Sequence, residues 1–277
     1  MSNLHDKVKR SIKVLRMYRG DEPIEVSYSG GKDSDVILAL TKMAGIPYRA
    51  IYKNTTIDPP YTVKHCKDNG VEVLMPKERF LGIITRKGFP TRRARFCCEV
   101  LKEYKVLDNS VQGIRRSEST KRASNYSEHE PIICRNYKKG EHVNVYLPIL
   151  EWSDKDVADF INGEGIKCHP LYYDDNGKFC VERRLGCIGC PMQSDNGVAD
   201  FKQYPKMLRQ WIRAGEAWWN KERDTELASV AMFGNIYALM AHNLFFDDYD
   251  SFQAANNSMF GKEDWKQRLE DYFKIEL

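Results

Sequence analysis

The stretch that decides the fold is residues 24–40, IEVSYSGGKDSDVILAL. Its apolar residues before the glycines predict a short buried strand, and those after them predict a helix. Gly30 and Gly31 permit a tight turn in which successive backbone N–H groups surround an anion. The helix N-terminus adds partial positive charge and Lys32 adds a full one. The stretch therefore predicts an anion-binding loop, and the alternative is an ordinary strand–helix turn with a Ser or Asp cap.

The string SGGKDS (residues 29–34) resembles the PP-loop of the ATP pyrophosphatases, which cleave ATP between the α and β phosphates. The Walker loop has a longer spacing between its first glycine and its Gly-Lys pair. The resemblance implies that the leaving pyrophosphate is held at this loop, with Lys32 and Mg²⁺ neutralising the developing charge. Asp33 either orients the metal or caps the helix. The nucleotide-binding residues implied here are Ser27, Ser29, Gly30, Gly31, Lys32, Asp33 and Ser34.

Positive charge is unevenly distributed along the 277 residues. The net charge is +4, yet residues 77–139 alone carry 16 Lys/Arg and 7 Asp/Glu. Such a segment favours an anionic ligand, either phosphate groups or nucleic acid, over an ordinary solvated surface. Arg92, Arg93 and Arg95 lie in it and are candidates for contact with a nucleic-acid backbone or for balancing the negative charge of the adjacent cysteine thiolates.

Strands and helices alternate along the first two thirds of the sequence, which predicts a parallel, twisted sheet with flanking helices. The predicted strands are 24–28, 48–52, 71–74, 111–114 and 143–148. The predicted helices are 4–19, 34–44, 61–69, 79–88, 97–107 and 153–162. Residues 120–142 are predicted to be irregular, and the chain from residue 200 is predicted to be helical, with a last helix after Lys262. We expect one domain over residues 1–196 and a helical subdomain over residues 197–277.

Ligands of parallel sheets bind beyond the carboxyl ends of the strands. The PP-loop and the polar loop that begins at Asn54 both follow strands of the predicted sheet, so Asn54 is a further candidate nucleotide contact.

The eight cysteines suggest a metal centre rather than disulfides. The N-terminal segment predicts an amphipathic helix, not a secretory signal, so we expect a cytoplasmic protein without a membrane span. The charge-free run 227–246 contains polar residues and Gly234, which favours a buried core helix. Cys187 and Cys190 form a CxxC pair, and Cys97 and Cys98 are adjacent. Four thiolates fit zinc or a 4Fe–4S cluster, although adjacent cysteines suit a single tetrahedral ion poorly.

The cysteine pattern is similar to the cluster-bearing branch of the adenylylsulfate/phosphoadenylylsulfate (PAPS) reductase family. Further segments are similar to that family in the same order, and the resemblance covers about residues 24–195. They are GIRRSES (113–119), LPILEWSDKDV (147–157) and HPLY (169–172). The resemblance implies an adenine-nucleotide α-hydrolase-like fold and a 4Fe–4S cluster on Cys97, Cys98, Cys187 and Cys190. It also implies that Gly113, Arg115 and Arg116 bind the nucleotide, with Arg115 acting in catalysis beside Lys32 and Asp33.

Two departures from the reductase pattern point to ATP. Sulfonucleotide reductases carry a nucleophilic cysteine in a C-terminal Glu-Cys-Gly-x-His segment, and no cysteine follows Cys190 here. Their PP-loop is degraded, whereas SGGKDS is intact. Both features resemble the ATP-pyrophosphatase members, such as the enzymes of DNA phosphorothioation and the tRNA thiolases.

The sequence thus predicts an enzyme that binds ATP, adenylates an acceptor with release of pyrophosphate and supports iron–sulfur-dependent sulfur transfer. Nucleic acid and a sulfur-donor protein are candidate partners, and we expect a homo-oligomer or a complex subunit. One alternative is a PAPS or adenylylsulfate reductase that uses Cys168 or Cys180 as its nucleophile, or that relies on an external reductant. The other is a non-catalytic nucleotide-binding protein that recruits a partner.

Overall fold

The computed structural model describes residues 3–126, 130–136, 140–223, 232–258 and 261–277. The chain forms two compact units. The sheet unit comprises Met1–Asn54, Asp58–Pro76 and Lys102–Gly186. The helical unit comprises Thr55–Ile57, Lys77–Leu101 and Cys187–Leu277.

The sheet unit contains a six-stranded sheet in the order β3-β2-β1-β4-β6-β5. The strands are β1 (Ile24–Tyr28), β2 (Tyr48–Lys53), β3 (Glu72–Leu74), β4 (Asn109–Val111), β5 (Ile132–Asn136) and β6 (His142–Tyr146). The β1–β2, β2–β3, β1–β4 and β4–β6 pairs are parallel, which confirms the predicted α/β fold. The edge strand β5 runs antiparallel to β6, because a short connection of residues 137–141 joins them instead of a crossover.

Twelve α-helices and a short C-terminal hairpin make up the rest of the regular structure among the α-helices and strands of the described residues. The helices are α1 (Leu4–Leu15), α2 (Lys32–Ala44), α3 (Thr62–Asp68), α4 (Phe80–Lys87), α5 (Phe96–Leu101), α6 (Thr120–Asn125), α7 (Asp154–Gly163), α8 (Val198–Gln203), α9 (Pro205–Glu222), α10 (Ile236–Phe245), α11 (Tyr249–Asn256) and α12 (Trp265–Phe273). The strands β7 (Asn257–Ser258) and β8 (Gly261–Lys262) pair antiparallel.

One face of the sheet forms the main core of the sheet unit. The helices α1, α2 and α7 pack against each other, and their apolar residues share a cluster with Ile24, Val26 and Tyr28 of β1. Because side chains alternate along a strand, Glu25 and Ser27 point to the opposite face. α7 begins with the predicted capping box, in which Ser153 and Asp156 bond each other's backbone N–H groups.

Several predictions of local structure are wrong. The predicted strand 111–114 is instead Asn109–Val111, and the predicted helix 4–19 ends at Leu15. The helix that was predicted to reach residue 107 ends at Leu101, and Lys53 Nζ bonds the carbonyl oxygens of Lys102 and Tyr104 at 3.4 and 2.5 Å. The segment 120–142 was predicted to be irregular but contains α6 and β5. β5 forms because its backbone pairs with β6, a tertiary contact that local composition does not reveal. Residues 127–129 and 137–139 of this segment lie outside the described residues.

The helical unit is built around α9, which packs against α4, α8 and α10. The aromatic ring of Trp211 lies 4.8 Å from Phe80 and 5.3 Å from Phe201 between ring centroids. The predicted buried helix within residues 227–246 is confirmed for α10, while residues 224–231 lie outside the described residues. Within the part of the chain that is described, no helix is long and apolar enough to cross a bilayer.

The two units differ from the predicted division at residue 196. The segments 77–101 and 187–196 belong to the helical unit, together with residues 55–57. The packing of α4 against α9 is the main physical reason. A consequence is that all four cysteines of the CC and CxxC pairs lie in the helical unit.

Candidate phosphate-binding loop and cysteine segments

The PP-loop joins β1 to α2 through two glycines with different conformations. Gly30 has φ +79°, and a side chain there would also approach Thr62 Cγ2 to 3.0 Å. Gly31 is extended and precedes the first helical residue. Its carbonyl accepts the Ser34 N–H at 2.9 Å and the Ser34 hydroxyl at 2.6 Å. The Ser29 hydroxyl lies 3.4 Å from the Gly31 nitrogen. The loop is therefore fixed by its own hydrogen bonds.

A cluster of charged side chains surrounds the start of α2. Lys32 is buried, with 4% exposure, and its Nζ lies 3.2 Å from Asp33 Oδ2. Arg115 is 1% exposed and donates from Nε to Asp33 Oδ1 at 2.7 Å and from Nη2 to Asp154 Oδ1 at 2.9 Å. Its Nη1 donates to Ser117 Oγ at 3.2 Å. The predicted catalytic residues Lys32, Asp33 and Arg115 thus come together, with Arg115 fully engaged by protein groups.

Gly113 lies against the start of α2, whereas Arg116 is held elsewhere by Glu151. A Cβ atom at Gly113 would lie 3.0 Å from the Asp33 carbonyl oxygen, so the absence of a side chain lets this segment approach the start of α2. Arg116 pairs with Glu151 at 3.4 Å and donates its N–H to the Leu150 carbonyl at 2.9 Å. Arg115 and Arg116 lie outside the lining of the cavity described next.

A cavity of 380 Å³ opens on the PP-loop within the sheet unit. Its lining includes Ser27, Ser29, Gly31, Lys32, Asp33, Ser34 and Gly113, which the sequence predicts as nucleotide contacts. It also includes Arg122, Tyr172 and Arg184, which sequence reasoning missed as site residues. The HPLY segment pointed to Tyr172, but no pattern pointed to the two arginines.

Burial shifts the pKa values of Tyr172 and Arg122. The Tyr172 ring centroid is 5.6 Å from Lys32 Nζ, and its hydroxyl accepts the Leu185 N–H at 3.3 Å. Burial raises the pKa of Tyr172 to about 12, so the phenol is protonated at neutral pH. Burial lowers the pKa of Arg122, with nearby Arg184 and Arg115 adding to the effect. Arginines gathered at a helix N-terminus favour an anion.

A second cavity of 220 Å³ continues from the same loop. It shares Ser27, Ser29 and Gln112 with the first cavity and is also lined by Glu25 and Ile51. Asn54, the remaining predicted nucleotide contact, lies at the carboxyl end of β2. Its N–H donates to the Leu74 carbonyl at 3.0 Å and its side-chain amide contacts Met75 Sδ at 3.3 Å. It lies outside the lining of both cavities.

A buried network supports the loop from the helix-covered face. Tyr28 donates its hydroxyl to Asp35, and His65 Nε2 lies 2.9 Å from Asp35 Oδ1. Cys168 lies beside Asp35, and burial with that carboxylate raises the pKa of the thiol. Cys168 is therefore a protonated core thiol at neutral pH and a poor nucleophile.

The cysteine pairs lie on short segments of the helical unit. Cys97 and Cys98 are in the first turn of α5, and the Cys190 N–H donates to the Cys187 carbonyl at 3.2 Å in a turn. A hydrogen bond with Cys98, burial, and the nearby Cys98 and Cys187 thiols raise the pKa of Cys97. The Cys97 thiol is therefore close enough to the Cys98 and Cys187 thiols for their charges to interact. Among the described residues, no three His, Cys, Asp or Glu side chains are arranged as ligands of one ion.

The basic loop before α5 is anchored beside the CxxC turn. Arg92 donates to the Gln193 carbonyl at 2.7 Å and to Asn196 Oδ1 at 2.9 Å. Arg95 lies 3.6 Å from Cys98 Sγ. Arg93 is exposed.

Comparisons with known proteins find one family model and several similar proteins. A family model described as the phosphoadenosine phosphosulfate reductase domain matches residues 23–193. An uncharacterized protein of Methanocaldococcus jannaschii is 28% identical over 228 residues, which cover 76% of this chain and 42% of that protein. Sulfate adenylyltransferase subunit 2 of Shewanella pealeana is 26% identical over 208 residues, covering 62% of this chain and 68% of that protein. The crystal structure of PAPS reductase from Candida auris aligns with TM-score 0.45 and 14% identity, covering 68% of this chain and 96% of that chain.

The match to the family model, together with the parallel sheet, defines the class of this α/β protein. The chain belongs to the phosphoadenosine phosphosulfate reductase domain family, as its sequence motifs predicted. It spans less than half the length of the archaeal relative.

Proposed function

We propose that this chain binds ATP with its phosphates at the PP-loop, adenylates an acceptor and releases pyrophosphate. The observation that carries the proposal is the 380 Å³ cavity, where the loop, the start of α2 and the side chains of Lys32, Arg122 and Arg184 converge. A polyphosphate is the anion whose size and charge suit such a lining.

The chemical step follows from what each group can do. An acceptor oxygen attacks the α-phosphorus, the α–β bridging bond breaks, and pyrophosphate leaves with the electron pair. Lys32 and the loop N–H groups stabilise the charge that develops on the leaving group. Adenylation makes the acceptor oxygen a good leaving group, and a sulfur nucleophile then displaces AMP.

Asp33 is the carboxylate that would hold Mg²⁺. Its oxygens face Lys32 and Arg115, and each carboxylate oxygen has a further lone pair for a cation. When bound, the metal supplies further charge neutralisation at the phosphates. Arg115 is a positioning residue in this scheme, because its donors hold Asp33 and Asp154 and orient the Asp33 carboxylate.

The four cysteines are proposed to hold a 4Fe–4S cluster, with zinc as the less favoured occupant. The position of the Cys97 thiol beside those of Cys98 and Cys187 supports this, since the raised pKa of Cys97 would fall when the thiol binds a cation. The cluster would support the sulfur-transfer step. Nucleic acid is the proposed acceptor, because Arg92, Arg93 and Arg95 form a basic loop beside these cysteines.

The reductase alternative has less support. It requires a reactive thiol, and Cys168 is buried with a raised pKa. Cys180 remains its other candidate, half-buried in the sheet unit with its thiol 3.5 Å from the Lys178 carbonyl oxygen.

The test is product analysis with anaerobically purified protein. ATP and Mg²⁺ are supplied with candidate nucleic acids and a sulfide source, and adenylylsulfate and PAPS are run beside them. Pyrophosphate without sulfite supports the proposal. Sulfite without pyrophosphate would instead establish a reductase, and Cys180→Ala would then identify its nucleophile.

A further inference from the structure

A buried carboxylate lies on one of the two central strands of the sheet. Glu25 is on β1, which is flanked by β2 and β4, and it is 3% exposed. Strands of parallel sheets are usually continuous apolar runs, and burying a charge is costly unless it is paired. A buried carboxylate therefore needs an opposite charge, a hydrogen-bond donor of the protein or a bound ligand to offset its burial.

A serine hydroxyl and a lysine ammonium group lie against one oxygen of this carboxylate. Ser27 Oγ donates to Glu25 Oε1 at 2.8 Å, and Lys53 Nζ lies 3.7 Å from the same atom. Ser110, its neighbour in register on β4, has a buried hydroxyl without a hydrogen-bond partner among the described residues. This face of the sheet therefore retains a polar group that a bound molecule can satisfy.

The 220 Å³ cavity gives a ligand access to Glu25. Its volume is far larger than the roughly 10–15 Å³ that one water needs, so it can admit part of a small organic ligand. Ile51 lines it together with the charged residues Lys53, Asp58, Lys102, Glu103 and Arg135. Because Ser27, Ser29 and Gln112 line both cavities, a nucleotide with its phosphates at Lys32 can place its base beside Glu25.

We infer that Glu25 is the residue that selects the base of the nucleotide, by accepting a hydrogen bond from the 6-amino group of adenine. This inference rests on the proposed binding of ATP. A carboxylate only accepts hydrogen bonds, so it matches an amino donor and repels the carbonyl oxygen that hypoxanthine and guanine carry at the same position. Lys53 Nζ also donates to the Tyr104 carbonyl at 2.5 Å, so its donors are shared between that carbonyl and Glu25.

The first experiment measures binding of ATP, inosine triphosphate and purine riboside triphosphate by calorimetry. The last nucleotide has hydrogen in place of the amino group. A hydrogen bond to a charged group corresponds to about tenfold to a hundredfold in affinity. The wild-type chain should bind ATP at least about tenfold more tightly than either analogue. Equal binding of the three nucleotides would overturn the inference without any variant.

The second experiment compares Glu25→Gln with Glu22→Gln. A glutamine can donate to a carbonyl oxygen as well as accept from an amine, so the preference for ATP over inosine triphosphate should fall about tenfold or more. The exposed Glu22 just before β1 is the matched control and should keep the wild-type preference. An unchanged preference in Glu25→Gln would refute the role of Glu25 while leaving the proposed function intact. Failure of the wild type to bind any of the three nucleotides would reject the proposed function itself.

Discussion

The PP-loop and the cysteine segments differ in how much of their geometry the protein fixes by itself. Around the loop, Ser34, Lys32, Asp33 and Arg115 are held by short hydrogen bonds and ion pairs, and Arg115 has almost no exposure. Around the cysteines, the thiols are half-buried neighbours. The loop is thus preorganised for an anion, whereas the cysteine segments are the part we propose to be completed by a bound cluster.

The largest expected effect comes from removing the buried charge at the loop. Lys32→Ala should lower the rate of pyrophosphate release about a hundredfold or more, because its ammonium group stabilises the developing charge. Lys42→Ala is the control, since Lys42 is exposed at the other end of α2. If both variants release pyrophosphate at the wild-type rate, Lys32 has no role in this step. The iron content of Lys32→Ala should stay unchanged.

The converse variant is Cys187→Ala. It should remove the visible absorbance and the iron of anaerobically purified protein, because one of four ligands is lost. ATP binding, measured by calorimetry, should change less than about threefold. Cys180→Ala in the sheet unit is the matched control and should keep the absorbance. A colourless, zinc-containing wild type would contradict the cluster assignment.

A smaller effect tests the turn between Cys187 and Cys190. Gly189 has φ +74°, and a Cβ atom there would lie 2.2 Å from the Phe201 ring. Gly189→Ala should therefore destabilise the fold by about 3 kcal/mol, combining backbone strain with overpacking. Gly177→Ala has a similar φ of +76° with open space around it, so it should cost about 1 kcal/mol. Urea denaturation measures both, and equal losses would mean that the ring contact contributes nothing.

The smallest expected effect is a pH dependence in the sheet unit. His169 is 1% exposed, and its Nε2 donates to the Pro60 carbonyl at 2.9 Å while Nδ1 accepts the Leu171 N–H at 3.1 Å. Burial lowers the pKa of His169. The unfolded chain then binds the proton more readily, so stability is lost as the pH falls below about 6.5. In urea denaturation, His169→Gln should lose less stability at low pH than the wild type, whereas His5→Gln, at an exposed position, should lose as much as the wild type. The same pH dependence in both variants would refute the role of His169.

Much of the sheet unit follows from local sequence. β1 is found at its predicted boundaries, and α2 ends at Gly45 in the left-handed conformation that a glycine favours. The family motifs identified the residues around the start of α2, because each motif carries its own turn or charge. Their assigned roles stay predictions, as does the cluster.

Contacts between distant segments could not be predicted in this way. Arg115 is held by Asp154, which lies 39 residues further along the chain. Arg122 and Arg184 have no local pattern and reach the cavity only because the sheet brings their segments together. The edge strand β5 likewise depends on pairing with β6. The PP-loop could be predicted from the sequence, but Arg122 and Arg184, which line its cavity, could not.

The most direct test of the account asks which bond of ATP is broken. ATP labelled with ³²P at the α or the γ position is incubated with Mg²⁺, acceptor and anaerobic protein, and the products are separated by chromatography. We predict that the γ label appears in pyrophosphate and the α label in AMP or the adenylated acceptor. Release of the γ label as inorganic phosphate, with the α label in ADP, would contradict the assignment of this loop.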